Sequence, residues 1–277
     1  MDLAVPGELH PDERINMTAA QRSAVLGPTR GNRTFSVGVY KSNLKNTPAR
    51  PGFPAPWIFA ALLGFILAAG SVAQSVHPLT GRRIAPTMGI GGADWLERSE
   101  REGEEHPDDA LDALKIKSGS VVADVGAGTG YITTRLAKRV GPAGKVFATD
   151  IQPEMLSKLR ERLEHDHILN VEPVLSTQAD PKLPAGKIDL ILMVDVYHEL
   201  TQPQRVLRKM KEALKPDGRL VLIEYRKEDP TIPIRPEHKM SVAEVKTEVE
   251  AEGFRLAEVL KSLPRQNIFV FVPLRVM

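Results

Sequence analysis

The sequence contains no cysteine, which excludes disulfide bonds, thiolate nucleophiles, cysteine-type zinc sites and iron–sulfur clusters. Its net charge is also small, because 37 Lys and Arg residues against 35 Asp and Glu residues leave a formal charge of +2. This charge does not indicate a nucleic-acid partner. Apolar residues make up 42% and charged residues 26%, as in ordinary globular proteins, so a wholly disordered or fibrous chain is excluded. At 277 residues the chain has room for one large domain and an appendage.

Charge of either sign is missing from residues 51–81. Within this gap, residues 57–73 form the apolar run WIFAALLGFILAAGSVA, which follows basic residues and ends in small ones. This pattern is typical of a secretory signal peptide, and its length is borderline for a single membrane span. We therefore expect a signal-peptide hydrophobic region or a membrane anchor. The protein would then be exported to the periplasm or associated with the membrane through this run, with a cytoplasmic location as the alternative.

The segments on either side of the apolar run show little sign of packed structure. Residues 1–56 are basic, rich in Gly, Pro, Asn and Thr, and lack a sustained helical or strand period. Such a segment buries too little apolar surface to offset the entropy lost on ordering, so it is predicted to be a disordered leader. Residues 74–93 are predicted to be a linker, and residues 94–277 the folded domain.

Short apolar runs alternate with helical patterns through the first part of this domain. Residues 120–125, 145–150, 171–177, 188–194 and 220–225 are predicted to be strands. Apolar residues at helical spacing follow most of them. Nearly continuous apolar strands joined by helices predict a parallel sheet covered on both faces.

The end of the chain breaks this alternation. Ser241 and Glu244 form a capping box that predicts the start of a helix. Residues 254–262 and 267–272 then have the pattern of two strands joined by a short turn, which favours an antiparallel hairpin. The predicted fold class is α/β: a doubly wound, mostly parallel seven-stranded sheet with a C-terminal antiparallel hairpin.

A glycine-rich loop follows the first predicted strand directly. It consists of Asp124 followed by Gly126, Gly128 and Gly130, in the sequence DVGAGTG. Glycine lets the backbone turn sharply and approach a ligand, and the helix that follows offers free N–H groups at its start. The loop therefore predicts a nucleotide-like ligand at the carboxyl ends of the strands.

The spacing of acids and glycines indicates which kind of nucleotide the loop binds. Asp150 ends the second predicted strand, where a carboxylate can accept both hydroxyls of a ribose. The dinucleotide fingerprint is G-x-G-x-x-G, whereas Gly130 comes one residue early. An acid at the start of the loop, Asp124, suits a cationic ligand better than a pyrophosphate, which it would repel.

From about residue 94 the chain resembles the class I S-adenosylmethionine-dependent methyltransferases, and in particular an uncharacterised bacterial branch of them. The glycine loop resembles their first motif, Asp150 their ribose-binding acid, and residues 194–199 and 214–219 the segments after strand four and before strand five. The resemblance implies S-adenosylmethionine as cofactor and methyl transfer as activity. The cofactor-binding residues that it implies are Asp124, Gly126, Gly128, Gly130, Asp150, Ile151, Thr177, Gln178 and Asp195.

The candidates for catalysis follow the fourth strand. His198 is suited to act as a base near neutral pH, and Tyr197 to form a wall of the methyl pocket. A base is needed only if the acceptor must lose a proton. Both residues have a plainer interpretation too, since a polar side chain at a strand end is often satisfied by its neighbours.

The acceptor is predicted to be a small molecule, because the sequence offers no basic patch and no added nucleic-acid module. No metal site is predicted, and the oligomeric state is left open. Two other functions stay in view: a non-catalytic S-adenosylmethionine-binding or membrane-tethered interaction module, and an NAD(P)-dependent oxidoreductase. The glycine spacing and the closing hairpin argue against the oxidoreductase.

Overall fold

The computed structural model of the protein describes residues 75–274. The predicted leader, residues 1–56, and the apolar run, residues 57–73, lie outside the described residues. Among residues 75–274, no helix combines the length and the apolar character that a membrane span requires.

The described part of the chain forms one eight-stranded sheet. Its strands are β1 (Val121–Val125), β2 (Lys145–Asp150), β3 (Val171–Leu175), β4 (Ile188–Val194), β5 (Leu214–Arg226), β6 (Lys239–Met240), β7 (Phe254–Leu260) and β8 (Gln266–Pro273). Their order is β3-β2-β1-β4-β5-β8-β7, with the two-residue β6 beside β5. Strands β1 to β5 are parallel, and β8 pairs antiparallel with both β5 and β7. The predicted fold class is confirmed.

Seven α-helices surround this sheet within residues 75–274. They are α1 (Ala93–Leu96), α2 (Arg101–Glu105), α3 (Pro107–Ala113), α4 (Thr133–Val140), α5 (Pro153–His165), α6 (Pro203–Ala213) and α7 (Val242–Glu250). Short 3-10 turns lie at Ile90–Gly92, Tyr197–Glu199 and Pro236–His238. The capping box predicted for α7 is present, because the Ser241 hydroxyl accepts from the Glu244 N–H and the Glu244 carboxylate accepts from the Ser241 N–H.

The sheet buries apolar side chains on both faces. On β4, Ile191 and Met193 point into a core formed with α6 and α7, whereas Leu190 and Leu192 point into a second core formed with α3 and α4. Successive side chains of a strand point to opposite faces, so a strand covered on both sides must be apolar throughout. This arrangement leaves the carboxyl ends of β1, β2 and β4 as the open edge where the connecting loops meet.

The structure differs from the predicted linker at residues 74–93. Arg82 is buried and forms an ion pair with Glu248 of α7, with Nε 2.9 Å from Oε1. It also donates to the backbone oxygen of His198 at 3.0 Å. Ile84 and Ala85 are buried as well. The folded domain therefore begins before residue 94, and this segment packs beside the open edge of the sheet.

Candidate functional site

A cavity of about 550 Å³ opens at the carboxyl edge of the parallel strands. Its volume lies in the range of pockets that bind one small ligand or a small ligand pair. Its wall includes residues 86–88, Gly126, Gly128, Asp150, Ile151, Thr177, Gln178, Asp195, His198, Glu199 and His238. The fold thus brings the loop after β1 together with the ends of β2, β3 and β4, as expected for a doubly wound sheet.

The three positions of the loop after β1 require glycine for different structural reasons. All three adopt positive φ angles, of 78° at Gly126, 53° at Gly128 and 91° at Gly130. A Cβ at Gly126 would lie 2.6 Å from the Val196 side chain, and one at Gly130 would collide with Leu159. Gly126 and Gly128 line the cavity, whereas Gly130 lies outside its wall and permits the close packing of α5.

Asp124 lies beneath this loop rather than in the cavity wall. Its carboxylate is buried and accepts a hydrogen bond of 2.6 Å from the Thr133 hydroxyl at the start of α4. Burial raises the pKa of Asp124 to about 6, against the lowering effect of Thr133. The structure therefore gives this residue a role in fixing the loop to α4.

Asp150 joins the two turns that flank the cavity. Its Oδ2 accepts the Gly128 N–H at 2.9 Å, and its Oδ1 accepts the Gln152 N–H at 2.9 Å. Burial raises the pKa of Asp150, and these backbone hydrogen bonds oppose that rise. Each carboxylate oxygen can accept more than one hydrogen bond, so both retain capacity for ligand hydroxyls.

The residues after Asp150 and after β3 form an open part of the wall. Ile151 exposes 36% of its surface although it is apolar. The Thr177 hydroxyl is used within its own turn, where it accepts from the Asp180 N–H at 3.1 Å. The Gln178 carbonyl accepts from the Thr201 hydroxyl at 3.1 Å. An exposed apolar side chain beside polar ones suits a planar heterocycle that covers it.

Asp195 belongs to the cavity wall and has one carboxylate oxygen that is buried. Its backbone has a φ of 53°, and its Oδ2 accepts from Gln266 at 2.7 Å. Its Oδ1 is buried and has no hydrogen-bond partner among residues 75–274. Burial, followed by the carboxylates of Glu105 and Glu224, raises the pKa of Asp195 well above its usual range. A cationic ligand group at Oδ1 would favour the charged form, so this orphaned oxygen fits an ammonium group.

His198 is held from behind by a second buried acid. Its Nδ1 lies 2.6 Å from Oε2 of Glu224, whose other oxygen accepts the Tyr197 N–H at 2.8 Å. Since a carboxylate only accepts, we assign the proton of the ring to Nδ1. The Nε2 atom then carries the lone pair and lies 3.1 Å from Nδ1 of His238.

Glu199 completes a cluster with the two histidines. Its Oε1 lies 4.0 Å from Nε2 of His198. Burial raises the pKa of Glu199 to about 7, against the lowering effects of His198 and the Met88 backbone. The pKa of His238 is lowered, mainly by burial. All three residues line the cavity.

Most of the candidate residues lie together in the cavity wall, with three exceptions. Asp124, Gly130 and Tyr197 do not belong to the cavity wall. Tyr197 is fully buried in the core, with the Arg82 guanidinium 5.3 Å from its ring centroid. A wall of the methyl pocket made by Tyr197 is therefore not what the structure shows.

Glu224 and Arg82 are not among the residues predicted from the sequence. A signal for Glu224 was available, because it interrupts the apolar run of β5, where a lone acid in a buried strand needs a polar partner. Arg82 lies 166 positions from its partner Glu248, so no local pattern could have linked them.

A family model described as a methyltransferase domain matches residues 116–264. Among curated relatives, the ubiquinone/menaquinone biosynthesis C-methyltransferase of Hahella chejuensis is 33% identical over 125 residues, which are 45% of this chain and 49% of that protein. The protein of the same name from Salmonella arizonae is 33% identical over 118 residues, which are 42% of this chain and 47% of that protein. The chain thus spans about half the length of the curated relatives that it matches.

A solved structure of an S-adenosylmethionine-dependent methyltransferase from Aquifex aeolicus is similar to this chain. The two share 30% sequence identity and a TM-score of 0.64, and the match covers 67% of this chain and 98% of that one. The family model covers more than half of the 277 residues. The chain belongs to the family of S-adenosylmethionine-dependent methyltransferases.

Proposed function

We propose that the protein transfers a methyl group from S-adenosylmethionine to a small-molecule acceptor bound in the same cavity. The observation that carries this proposal is the composition of the wall. It combines the glycine loop, Asp150 and the unpaired oxygen of Asp195 with the cluster of His198, Glu199 and His238. When bound, S-adenosylmethionine supplies an electrophilic methyl group, whose bond to sulfur breaks as its bond to the acceptor forms.

The first half of the cavity suits the cofactor. The Asp150 carboxylate would accept the ribose hydroxyls, and the exposed side chain of Ile151 would pack against the adenine. Thr177 and Gln178 line the wall beside Ile151 and would form the adenine end. Gly128 allows the backbone to approach the ligand closely, since a side chain there would lie in the cavity wall.

The wall includes Arg101 and Arg235, but the carboxylates at the ends of β2 and β4 suit a cationic ligand group. Asp195 would accept the ammonium group of the methionine part at Oδ1, and Asp150 adds a second carboxylate. Two acids at this edge would repel a pyrophosphate, which argues against a nicotinamide dinucleotide in this site.

The acceptor would bind beside the cluster of His198, Glu199 and His238. The cavity wall also includes the apolar residues Met88 and Ile234. Methyl transfer to an O–H, N–H or C–H group requires the loss of a proton, and this cluster offers the groups that would promote it. Glu224 would hold His198 in place for that task.

The size of the cavity supports an acceptor of low mass. About 550 Å³ must hold both the cofactor and the acceptor's reacting group. The curated relatives are named for ubiquinone and menaquinone biosynthesis, and they match over about half their length. Their names support a small-molecule acceptor, and we extend the proposal no further toward a quinone.

Calorimetric titration of the purified full chain tests the cofactor. S-adenosylmethionine and S-adenosylhomocysteine should each bind at one site per chain with a measurable heat. NADPH should give no heat of binding. Asp195→Asn should weaken the affinity for S-adenosylmethionine about tenfold, because it removes a charged hydrogen-bond acceptor. Asp217→Asn, at an exposed position of β5, is the matched control. Binding of NADPH alone would overturn the proposal.

Incubation with methyl-labelled cofactor and a cell extract tests the acceptor class. The extract should be separated into low-mass and macromolecular fractions after the reaction. Label in the low-mass fraction is expected. Label only in protein or nucleic acid would contradict a small-molecule acceptor. Binding of the cofactor without any transfer would favour the non-catalytic module instead.

A further inference from the structure

We propose that His198, Glu199 and His238 form a binding site for one divalent transition-metal ion, of which zinc suits the donor set best. The three residues each offer one ligand atom, and these atoms all lie within 4.8 Å of one another. Two imidazoles and one carboxylate are a donor set that catalytic zinc sites use.

The distances fit such an ion after a small adjustment. Nε2 of His198 and Nδ1 of His238 are 3.1 Å apart. In a tetrahedral zinc site with bonds of about 2.0–2.1 Å, two nitrogen ligands are about 3.3 Å apart. Oε1 of Glu199 lies 4.0 Å from Nε2 of His198, and all three ligand atoms lie within 4.8 Å of one another, so this side chain would move by about 1–1.5 Å to join them.

The hydrogen bond between Glu224 and His198 is a second and independent observation in favour of a metal site. A histidine that ligates a metal commonly donates its other ring N–H to a carboxylate, which fixes the ring and makes the ligating nitrogen more basic. Glu224 stands in that position, at 2.6 Å from Nδ1, and it is fully buried. The lone pair of Nε2 is therefore aimed at the cluster rather than blocked by a proton.

The same atoms also form a hydrogen-bonded chain that a metal ion would replace. His238 donates from Nδ1 to His198, and its Nε2 lies 3.1 Å from a guanidinium nitrogen of Arg235. The Arg235 side chain is about two-thirds exposed and also pairs with Glu237 at 3.2 Å. Arg235 can therefore turn toward Glu237 and solvent when His238 gives its Nδ1 lone pair to an ion and keeps a proton on Nε2.

The position of the cluster indicates what the ion would do. All three side chains line the cavity, so three protein ligands would leave a fourth position open toward the acceptor. An acceptor hydroxyl bound there would have a lowered pKa and would release its proton to solvent, leaving the oxygen as nucleophile. This step rests on the proposed function and assigns the acceptor to the hydroxyl-bearing compounds, whereas the binding of the ion does not depend on it.

Metal binding can be measured without cofactor or activity. The full chain, prepared without a histidine tag and stripped with a chelator, should be dialysed against Zn²⁺ and analysed for bound metal by mass spectrometry. One zinc per chain is expected. His238→Asn and Glu199→Gln should each weaken retention at least about tenfold. Replacing Zn²⁺ by Co²⁺ should give visible absorption bands in the unaltered chain and not in these variants.

His106→Asn is the matched control. His106 is an exposed histidine that lies 3.0 Å from Asp109, outside the cavity wall. It should retain zinc like the unaltered chain. Zinc at far less than one ion per chain, or retention that His238→Asn and Glu199→Gln leave unchanged, would overturn the site. Circular dichroism melts of each variant show whether a loss of zinc is instead a loss of folding, and in that case the other variant decides.

The metal site and the proposed function can fail separately. Titration of the chelator-treated chain with S-adenosylmethionine tests the function without the ion. Cofactor binding without zinc binding would remove the metal site and leave the function standing. Zinc binding without cofactor binding would remove the proposed function and leave the metal site standing.

Discussion

The Glu224 carboxylate lies 2.6 Å from Nδ1 of His198, and both side chains are buried. Glu224 lies near the carboxyl end of β5, whereas His198 lies in the turn after β4. Because β4 and β5 are adjacent parallel strands, their register alone brings a strand residue beneath a loop residue. The orientation of His198 is therefore set by the sheet and not by the loop that carries it.

Glu224→Gln should lower kcat by about 10- to 100-fold, with little change in the affinity for S-adenosylmethionine. The neutral amide no longer fixes the ring as strongly, while Asp150 and Asp195 are untouched. Steady-state kinetics on the identified acceptor and calorimetry with the cofactor separate the two effects. Glu172→Gln, at an exposed position of β3, is the control and should change neither. Equal loss of kcat and cofactor affinity in Glu224→Gln would indicate a general structural role.

Gly128→Ala should weaken binding of S-adenosylmethionine. Gly128 has a φ of 53°, and an added Cβ would lie 3.2 Å from the Leu96 side chain at the cavity wall. The left-handed conformation should itself cost about 1–2 kcal/mol in the free energy of unfolding. Calorimetry measures the loss of cofactor affinity, and urea unfolding measures the loss of stability.

Gly186→Ala is the matched control for that prediction. Gly186 has a φ of 63°, and its Cβ would meet no heavy atom within 4 Å among the described residues. It should lose a similar amount of stability and keep its cofactor affinity. A comparable loss of affinity in both variants would show that backbone strain, rather than the position of Gly128, weakens binding.

Much of the fold could be predicted because its signals are local. The runs at 145–150 and 188–194 coincide with β2 and β4, since buried parallel strands are apolar throughout. The start of α7 follows from Ser241 and Glu244, which satisfy each other's backbone N–H groups three residues apart. β5 is longer than expected, because Leu214 pairs with Ile188 before the predicted strand begins.

The site was predictable only where a ligand dictates a motif. Gly128 and Asp150 stand out in the sequence because one belongs to a glycine-rich loop and the other is an acid at the end of a strand, and the structure places both in the cavity wall. Tyr197 and His198 are neighbours in the sequence, yet Tyr197 points into the core and His198 lines the cavity. The direction of a side chain in a single turn depends on packing partners, here Arg82 for one and Glu224 for the other, which the local sequence does not reveal.

Residues 57–73 are expected to direct the protein to the membrane or across it. When the protein is expressed in a bacterium, the full chain should be found in the membrane or periplasmic fraction. The variant that lacks these residues should be found in the cytoplasmic fraction. Fractionation followed by N-terminal sequencing of the product measures both location and cleavage. Deleting residues 30–46, a stretch of equal length in the basic leader, is the control. An unchanged distribution after loss of residues 57–73 would contradict the expectation.

Arg82→Ala should destabilise the domain by about 3–5 kcal/mol, because it removes the guanidinium partner of the buried Glu248 carboxylate and leaves only His77 and the Thr80 hydroxyl beside it. Arg82 also holds the segment that carries residues 86–88 of the cavity wall, so cofactor affinity should fall as well. Urea unfolding and calorimetry measure these effects. Arg83→Ala, at the exposed neighbouring position, should change both by little. The double replacement of Arg82 by Met and Glu248 by Leu should recover much of the lost stability, and no recovery would contradict this explanation.

Asp124 should make the stability of the ligand-free protein depend on pH. Its pKa is raised to about 6 in the folded chain, from an ordinary value of 3.8. The folded state therefore holds the proton more tightly than the unfolded state. The stability that the protonated form contributes is fully present below pH 3.8 and is lost as the pH rises through 6. By pH 7.5 the loss should reach about 3 kcal/mol.

Asp124→Asn isolates this contribution, because an amide oxygen can still accept from the Thr133 hydroxyl and does not ionise. Urea unfolding at pH 5 and pH 7.5 should show a smaller decline in the free energy of unfolding for Asp124→Asn than for the unaltered chain. Thr133→Val should have the opposite effect, since it removes a hydrogen bond that favours the carboxylate and so raises the pKa of Asp124 further. Equal declines in all three proteins would show that Asp124 ionises in the folded state as easily as in the unfolded one, and that the loop after β1 is not sealed from water as the structure indicates.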